Sequence, residues 1–352
     1  MSLTKGQQEH SLMVKRPITG RLKIGFFGDG LWASRAISQI VENSDFEIVF
    51  VTPRFDIQDD SLRTWAIRLG VPFLPCDNVN SEEFIEKTRE YQADIFVSMS
   101  FDQILRGSIL KATSLGFINC HAGALPFFRG RNPLNWALIN GEKRFGVTVH
   151  QVDEGIDTGP IIVQNFSPIG TDDTYATLLK DAHKLCADSL VESLSIIKEG
   201  KATFTSQGEI SDGYTYFSHR RLGDEWINWS WPSEKIHNLV RGITLPGPCA
   251  RTFNGEMSLA VVTTEIVENI PTYLGSDGEV IGRDAQGVIV KTGSNAIRIV
   301  EAAALLPNNS LDVIGIPKFP VGTRLGVNMY DEFVSLRQRV ADLEREGRKI
   351  DE

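Results

Sequence analysis

From residue 22 to residue 120 the chain repeats one pattern: a short, near-continuous apolar run, then a segment with helical periodicity. A strand with one wet face alternates apolar and polar residues, whereas a continuous run has to be covered on both faces. The runs are 22–27, 46–53, 71–74, 94–99 and 116–120. Helices are expected over 32–42, 61–69 and 81–91, the last opened by a Ser-Glu-Glu cap signal. The expectation is an α/β fold: a Rossmann-like, mostly parallel sheet with helices on both faces. Strands at 146–151 and 160–166 and a long helix over 174–199 complete that unit.

Beyond residue 200 the pattern changes. Residues 201–216 are polar and rich in Gly and Ser. A short helix is expected over 232–241. From 249 to 300, short strands are separated by turns such as Phe253-Asn254-Gly255-Glu256 and Gly275-Ser276-Asp277-Gly278. Five or six strands at that spacing predict a small C-terminal β-barrel domain. The 352 residues thus divide into a disordered leader (1–20), a catalytic α/β domain (21–204), a linker (205–216), the barrel (217–305) and an extension (306–352) ending in a helix. In that helix, 330–346, Leu336, Val340 and Leu343 share a face. Its expected use is packing on the parent domain, with contact in a homodimer as the alternative.

A net charge of −9 counts against a protein whose main task is gripping phosphate backbones. No apolar run approaches the roughly 18 residues of a membrane span, and residues 1–20 lack the apolar core of a signal peptide. The four cysteines, Cys76, Cys120, Cys186 and Cys249, form no C-x-x-C pair. Buried free thiols in a cytoplasmic protein, with no metal site, are the expectation. Cys120 sits between two polar residues on a strand, so alternation points it away from them and into packing.

Gly28-Asp29-Gly30, at the end of the first strand, is the first candidate for chemistry. It lacks the third glycine of a dinucleotide fingerprint, and no acidic residue closes the second strand. A tight βα turn is the better reading. The informative stretch is 116–164. Asn119 and His121 lie two apart at the carboxyl end of a predicted strand, hence on one face. Ligands of open α/β sheets sit beyond those strand ends. The loop 153–159 (DEGIDTG) is acidic and Gly-punctuated, and can bring a carboxylate to the same mouth. An amide, an imidazole and a carboxylate suit acyl transfer to an amine. The amide N–H stabilises the oxyanion, the imidazole exchanges the proton, and the carboxylate supports the imidazole.

At these residues the chain resembles the formyltransferase family that uses 10-formyltetrahydrofolate. The shared motifs are Asn119-Cys120-His121, the Leu-Pro-x-x-Arg-Gly loop at Leu125-Pro126-Phe127-Phe128-Arg129-Gly130, and Asp157-Thr158-Gly159. The resemblance spans about residues 22–303. It includes Ile227-Asn228-Trp229, Asn238-Leu239-Val240-Arg241 and Pro246-Gly247-Pro248, which are similar to the barrel of methionyl-tRNA formyltransferases. It implies catalytic roles for Asn119, His121 and Asp157. It also implies a folate pocket at Ser98, Met99 and Phe101 and at Val152, Asp153 and Gly155. One departure is clear: the family's His-x-Ser-Leu-Leu-Pro is here His121-Ala122-Gly123-Ala124-Leu125-Pro126.

The acceptor has to be read elsewhere. The family's tRNA enzymes carry a basic insertion after the second strand; here the corresponding residues 53–60 are short and acidic, which disfavours tRNA. The run from Arg129 to Trp136, with Asn140-Gly141-Glu142, is similar to the formyltransferase half of the bifunctional aminoarabinose-modifying enzymes. The acceptor implied is a nucleotide-linked amino sugar, held by Arg129, Arg131, Arg220 and Arg221. The alternatives are methionyl-tRNA and a small amine such as hydroxyornithine.

Overall fold

The computed structural model describes residues 16–55, 59–271, 273–326, 334 and 336–343. The chain forms two compact units. The first runs to Ala137 and resumes over Glu142–Arg220; the second takes Leu138–Gly141 and the chain from Arg221 onward.

In the first unit the elements are β1 (Leu22–Gly28), α1 (Gly30–Glu42), β2 (Phe46–Pro53), α2 (Ser61–Leu69), α3 (Glu82–Arg89), β3 (Ile95–Met99) and β4 (Phe117–His121). They are followed by β5 (Arg129–Gly130), α4 (Pro133–Ile139), β6 (Arg144–Gln151), β7 (Ile161–Pro168), α5 (Tyr175–Lys198), α6 (Gln207–Ile210) and β8 (Tyr216–Phe217). The main sheet has six strands in the order β2-β1-β3-β4-β6-β7. The first four are parallel, as the apolar runs require. β6 and β7 are antiparallel, so the sheet is mixed. Of the run 71–74 only a single bridge, Val51 to Phe73, is formed. Helix α4 was not expected; Pro133 opens it, where a missing N–H costs nothing.

The core under the parallel strands is aromatic. The Phe27 ring lies 5.0–6.2 Å, centroid to centroid, from those of Phe50, Phe84, Phe96, Phe101 and Phe117. Gly25 is what lets the rings close up, because a Cβ there would stand 2.4 Å from Phe50 Cζ. Ser81 caps α3 by accepting from the Phe84 N–H. The residues read as a linker, 205–216, are built into this unit instead. Thr205 bridges to Ile161, Gln207 is buried, and β8 pairs in parallel with β5.

In the second unit α7 (Ser233–Ile243) precedes β9 (Ala250–Asn254), β10 (Met257–Ile266), β11 (Val280–Asp284), β12 (Gly287–Lys291) and β13 (Ala296–Ala304). The five strands make an antiparallel sheet in the order β11-β12-β13-β10-β9. Residues 322–326 join its two edges: the Leu325 N–H donates to the Gly278 carbonyl beside β11 (2.8 Å), and the Gly326 N–H to Phe253 in β9 (2.8 Å). A segment expected beyond the barrel therefore bridges its two edge strands. Ile236, Leu239, Val240 and Ile243 of α7 share the core with Val261, Val290 and Ile297. Of the expected terminal helix, residues 336–343 are described as helical; 330–333, 335 and 344–346 lie outside the described residues. Leu336, Val340 and Leu343 are exposed, so the expected packing of that face is not formed by described residues. No described helix is long and apolar enough to cross a membrane.

Removing the central ring should show how far the sheet depends on it. Phe27→Ala is expected to lower the stability of the first unit by about 3–5 kcal/mol, read from its urea-unfolding midpoint.

Candidate active site

The polar ends of β4 and β6 meet because the two strands are antiparallel neighbours in register: Asn119 pairs with His150 and His121 with Thr148. Alternation then puts Asn119, His121, Thr148 and His150 on one face of the sheet. Cys120 points the other way, buried, with its thiol donating to the Cys186 carbonyl of α5 at 3.5 Å.

Asp157 completes the group. Its residue adopts a left-handed backbone (φ 53°), which Asp tolerates better than most residues. Its Oδ2 lies 3.7 Å from His121 Nδ1 and its Oδ1 3.6 Å from His150 Nε2. The Gly130 N–H donates to Oδ2 at 2.8 Å. Burial alone would push this carboxyl up. The charge on His121, the hydrogen bond and charge of His150 and the Gly130 N–H outweigh it, and hold Asp157 well below the usual carboxylate range. The carboxylate stays ionised inside the protein.

Asn119 is oriented by two neighbours. Ser98 Oγ donates to its Oδ1 at 2.8 Å, and its Nδ2 faces His150 Nε2 at 3.2 Å. His150 Nδ1 lies 2.9 Å from the Gln151 carbonyl, which can only accept, so Nδ1 carries a proton. His150 Nε2 stands between the Asn119 amide and Asp157 Oδ1. Asn119 itself lines the adjoining cleft.

These side chains line a cleft of about 660 Å³. Of the residues expected to bind folate, Ser98, Met99, Phe101, Val152 and Gly155 line it. Asp153 does not. Its carboxylate accepts from Thr158 Oγ1 (2.5 Å) and the Gly155 N–H (3.1 Å), folding the loop rather than facing the cleft. Among the arginines, Arg131 lines the cleft. Arg129 does not; its Nε and Nη2 donate to Gln207 Oε1 at 3.1 and 2.6 Å, and its guanidinium stacks over Tyr214. Arg220 does not line the cleft. Arg221 is exposed and falls in the second unit.

Gly28-Asp29-Gly30 is a tight turn. A Cβ on Gly28 would stand 2.3 Å from the Met99 carbonyl, so that glycine serves the approach of β1 to β3. Among the described residues no group of three His, Cys, Asp or Glu is placed to hold a metal.

Sequence reasoning missed His150, Gln207, Tyr216 and His219. His150 had a signal: it follows Thr148 at strand spacing. Gln207 bonds the Asp157 and Gly159 carbonyls at 2.8 and 2.9 Å, from within a stretch read as linker.

Comparison with known proteins agrees with this architecture. Residues 22–194 match the formyl transferase family and residues 221–305 the formyl transferase C-terminal domain. A methionyl-tRNA formyltransferase of Halothermothrix orenii is 37% identical over 249 residues, covering 68% of this chain and 76% of that protein. That of Thermodesulfovibrio yellowstonii is 31% identical over 280 residues, 77% of this chain and 85% of its own. Two solved structures share the fold. WlaRD, described as a sugar 3N-formyl transferase in the presence of dTDP and 5-N-formyl-THF, has a TM-score of 0.62 at 23% identity. It covers 81% of this chain and 98% of that one. An N-formyltransferase from Helicobacter canadensis, in complex with folinic acid and dTDP-3-aminofucose, has a TM-score of 0.60 at 19% identity over 80% and 99%. The chain belongs to the formyl transferase family, and it is a formyl-transferring enzyme.

The Asp157 charge carries a pH signature. Its folded-state pKa lies below the unfolded value near 3.9, so its ionisation stabilises the fold above about pH 4, and that contribution is lost as pH falls from there toward the folded value. Asp157→Asn should therefore be less stable than the parent at neutral pH. The gap in denaturant midpoint should shrink as the pH drops below about 4.

Proposed function

We propose that the protein moves a formyl group from 10-formyltetrahydrofolate to the primary amine of a nucleotide-linked amino sugar. The observation that carries the chemistry is the convergence of Asn119, His121, His150 and Asp157 in one cleft. The folate fits the residues present. Met99, Phe101, Leu105 and Val152 give the cleft apolar walls, and their loops offer backbone groups to a flat heterocycle.

Attack of the amine on the formyl carbon forms a C–N bond and moves the carbonyl pair onto oxygen. Asn119 then donates an amide N–H to that oxygen, an interaction worth about 3–4 kcal/mol where a donor is preorganised. Its orientation is fixed in advance by Ser98 and His150. His121 takes the proton released by the attacking nitrogen. It returns it to the folate nitrogen as the old C–N bond breaks and the carbonyl re-forms, so protons and electrons balance. Asp157, ionised and beside both histidines, stabilises the imidazolium in between.

The acceptor reading is supported by the cleft's other lining. Arg54, Arg131, Tyr216 and His219 supply cationic and aromatic groups of the kind that hold a diphosphate and a base. After β2 the described residues Asp59 and Asp60 are exposed and acidic, a poor surface for an acceptor stem; residues 56–58 of that segment lie outside the described residues. The two structural neighbours named with dTDP or a dTDP-linked amino sugar are in keeping with this reading. A second reading, methionyl-tRNA as acceptor, is favoured by the names of the relatives at 31% and 37% identity.

Purified protein should release tetrahydrofolate when given 10-formyltetrahydrofolate and the matching nucleotide-linked amino sugar. Turnover with charged initiator tRNA alone would sink the sugar assignment. Asn119→Ala should lower kcat by about 10²–10³-fold and His121→Ala by about 10²–10⁴-fold. Full activity in either variant overturns its role.

A further inference from the structure

The departure at Gly123 has a geometric consequence. His121 Nε2 lies 2.7 Å from the Phe128 carbonyl oxygen. A carbonyl only accepts, so Nε2 keeps its proton, and Nδ1, facing Asp157 Oδ2 at 3.7 Å, is the nitrogen at which a second proton can come and go. Gly123 is what makes room. A Cβ there would stand 2.5 Å from His121 Nε2 and 2.7 Å from the Phe128 oxygen, inside the bond itself. The hydroxymethyl group of the serine found in related motifs could not enter without displacing one partner.

The carbonyl is held from the far side of the chain. Phe128 has a left-handed backbone (φ 57°), uncommon for a bulky residue and maintained only where its surroundings enforce it. Thr215 does so: its Oγ1 accepts from the Phe128 N–H at 2.8 Å and its carbonyl from the Arg129 N–H at 3.0 Å. The Phe128 ring stacks on Phe217 (5.4 Å, 16°), which stacks on Trp136 (5.0 Å, 21°). Gly123 is fixed too, its carbonyl accepting from Thr148 Oγ1 at 2.7 Å, while the Leu125 N–H donates to the same hydroxyl at 3.2 Å.

We propose that Gly123 and Thr215 are positioning residues that lock His121 in the Nε2–H tautomer, through the Phe128 carbonyl, so that the reaction's proton is handled at Nδ1. The inference rests on the catalytic reading of His121 given above. It assigns to the segment around β8 a part in the chemistry, although neither Thr215 nor Gly123 touches the reacting atoms.

Nitrogen-15 labelling of the histidines, only six in the chain, reads the tautomer directly, with His121→Gln identifying the signal. In the parent protein neutral His121 should show a protonated Nε2 and a bare Nδ1. Gly123→Ala should displace that pattern and lower kcat by about 10- to 100-fold, with the KM for the folate donor unchanged. Thr215→Val should do the same more weakly, and Thr215→Ser, which keeps the hydroxyl, should restore both tautomer and rate. A parent signal with the proton on Nδ1 overturns the proposal. So does retention of the parent tautomer and kcat in both Gly123→Ala and Thr215→Val. Full turnover in His121→Ala instead overturns the catalytic reading, and leaves the tautomer measurement standing as a statement of geometry.

Discussion

A carboxylate buried among strand ends has to be compensated, and the site is built around doing so for Asp157. Leaving water costs an ion several kcal/mol, recovered only where opposite charge and donors are placed for it. Here they come from separate parts of the chain: His121 at the end of β4, His150 in β6 and the Gly130 N–H in β5. Gln207 then holds the Asp157 carbonyl from α6. Each of those groups is drawn in by the same charge, so the antiparallel register of β4 and β6 has a purpose beyond backbone pairing. It places an amide and two imidazoles where a carboxylate entering from the 153–159 loop can be satisfied.

The loops that complete the cleft carry backbone strain. Ser100, Phe128, Asn132 and Asp157 all have positive φ without being glycine. Conformations of that kind persist where neighbours over-determine them. The Thr215 bonds and the Phe128–Phe217–Trp136 stack perform that service for Phe128. Gly123 and Gly25 show the complementary device, a missing Cβ that lets other groups approach. The rigid aromatic core around Phe27 supplies the platform from which these loops depart.

What could be read from the sequence follows from this physics. Continuous apolar runs announced the parallel strands, and the period-2 spacing of Asn119 and His121 announced their common face, because both depend on neighbours along the chain. His150 carried the same spacing signal beside Thr148 but was passed over, since its significance lies in a cross-strand partner. The antiparallel course of β6 and β7 was hidden too, because a buried run looks the same in either direction. Arg129 shows the opposite error: a cation in a suggestive motif proves to be held by Gln207 and Tyr214. The stretch around Gln207 and Thr215 looked like linker on composition alone. Its polar side chains bond backbone groups far away in sequence, and polarity cannot distinguish that from exposure to water. The barrel was legible as turns and short strands, yet the bridging of its edges by residues 322–326 was not, since that is a long-range pairing.

The division between chemistry and acceptor is itself structural. Of the groups assigned to the formyl step, Asn119, His121 and His150 stand at strand ends, where sheet register fixes them, and Asp157 enters from a loop that bonds to them. Arg131, Tyr216 and His219, by contrast, line the cleft from short ribbon and loop segments. Strand ends tolerate little change without losing the Asp157 network, whereas loop side chains can be exchanged with small effect on the fold. Relatives named for tRNA and neighbours named for sugars share this architecture. On the reading proposed above, the acceptor is selected by the cation-and-aromatic lining of Arg131, Tyr216 and His219, and identity summed over the whole chain is a weak guide to it.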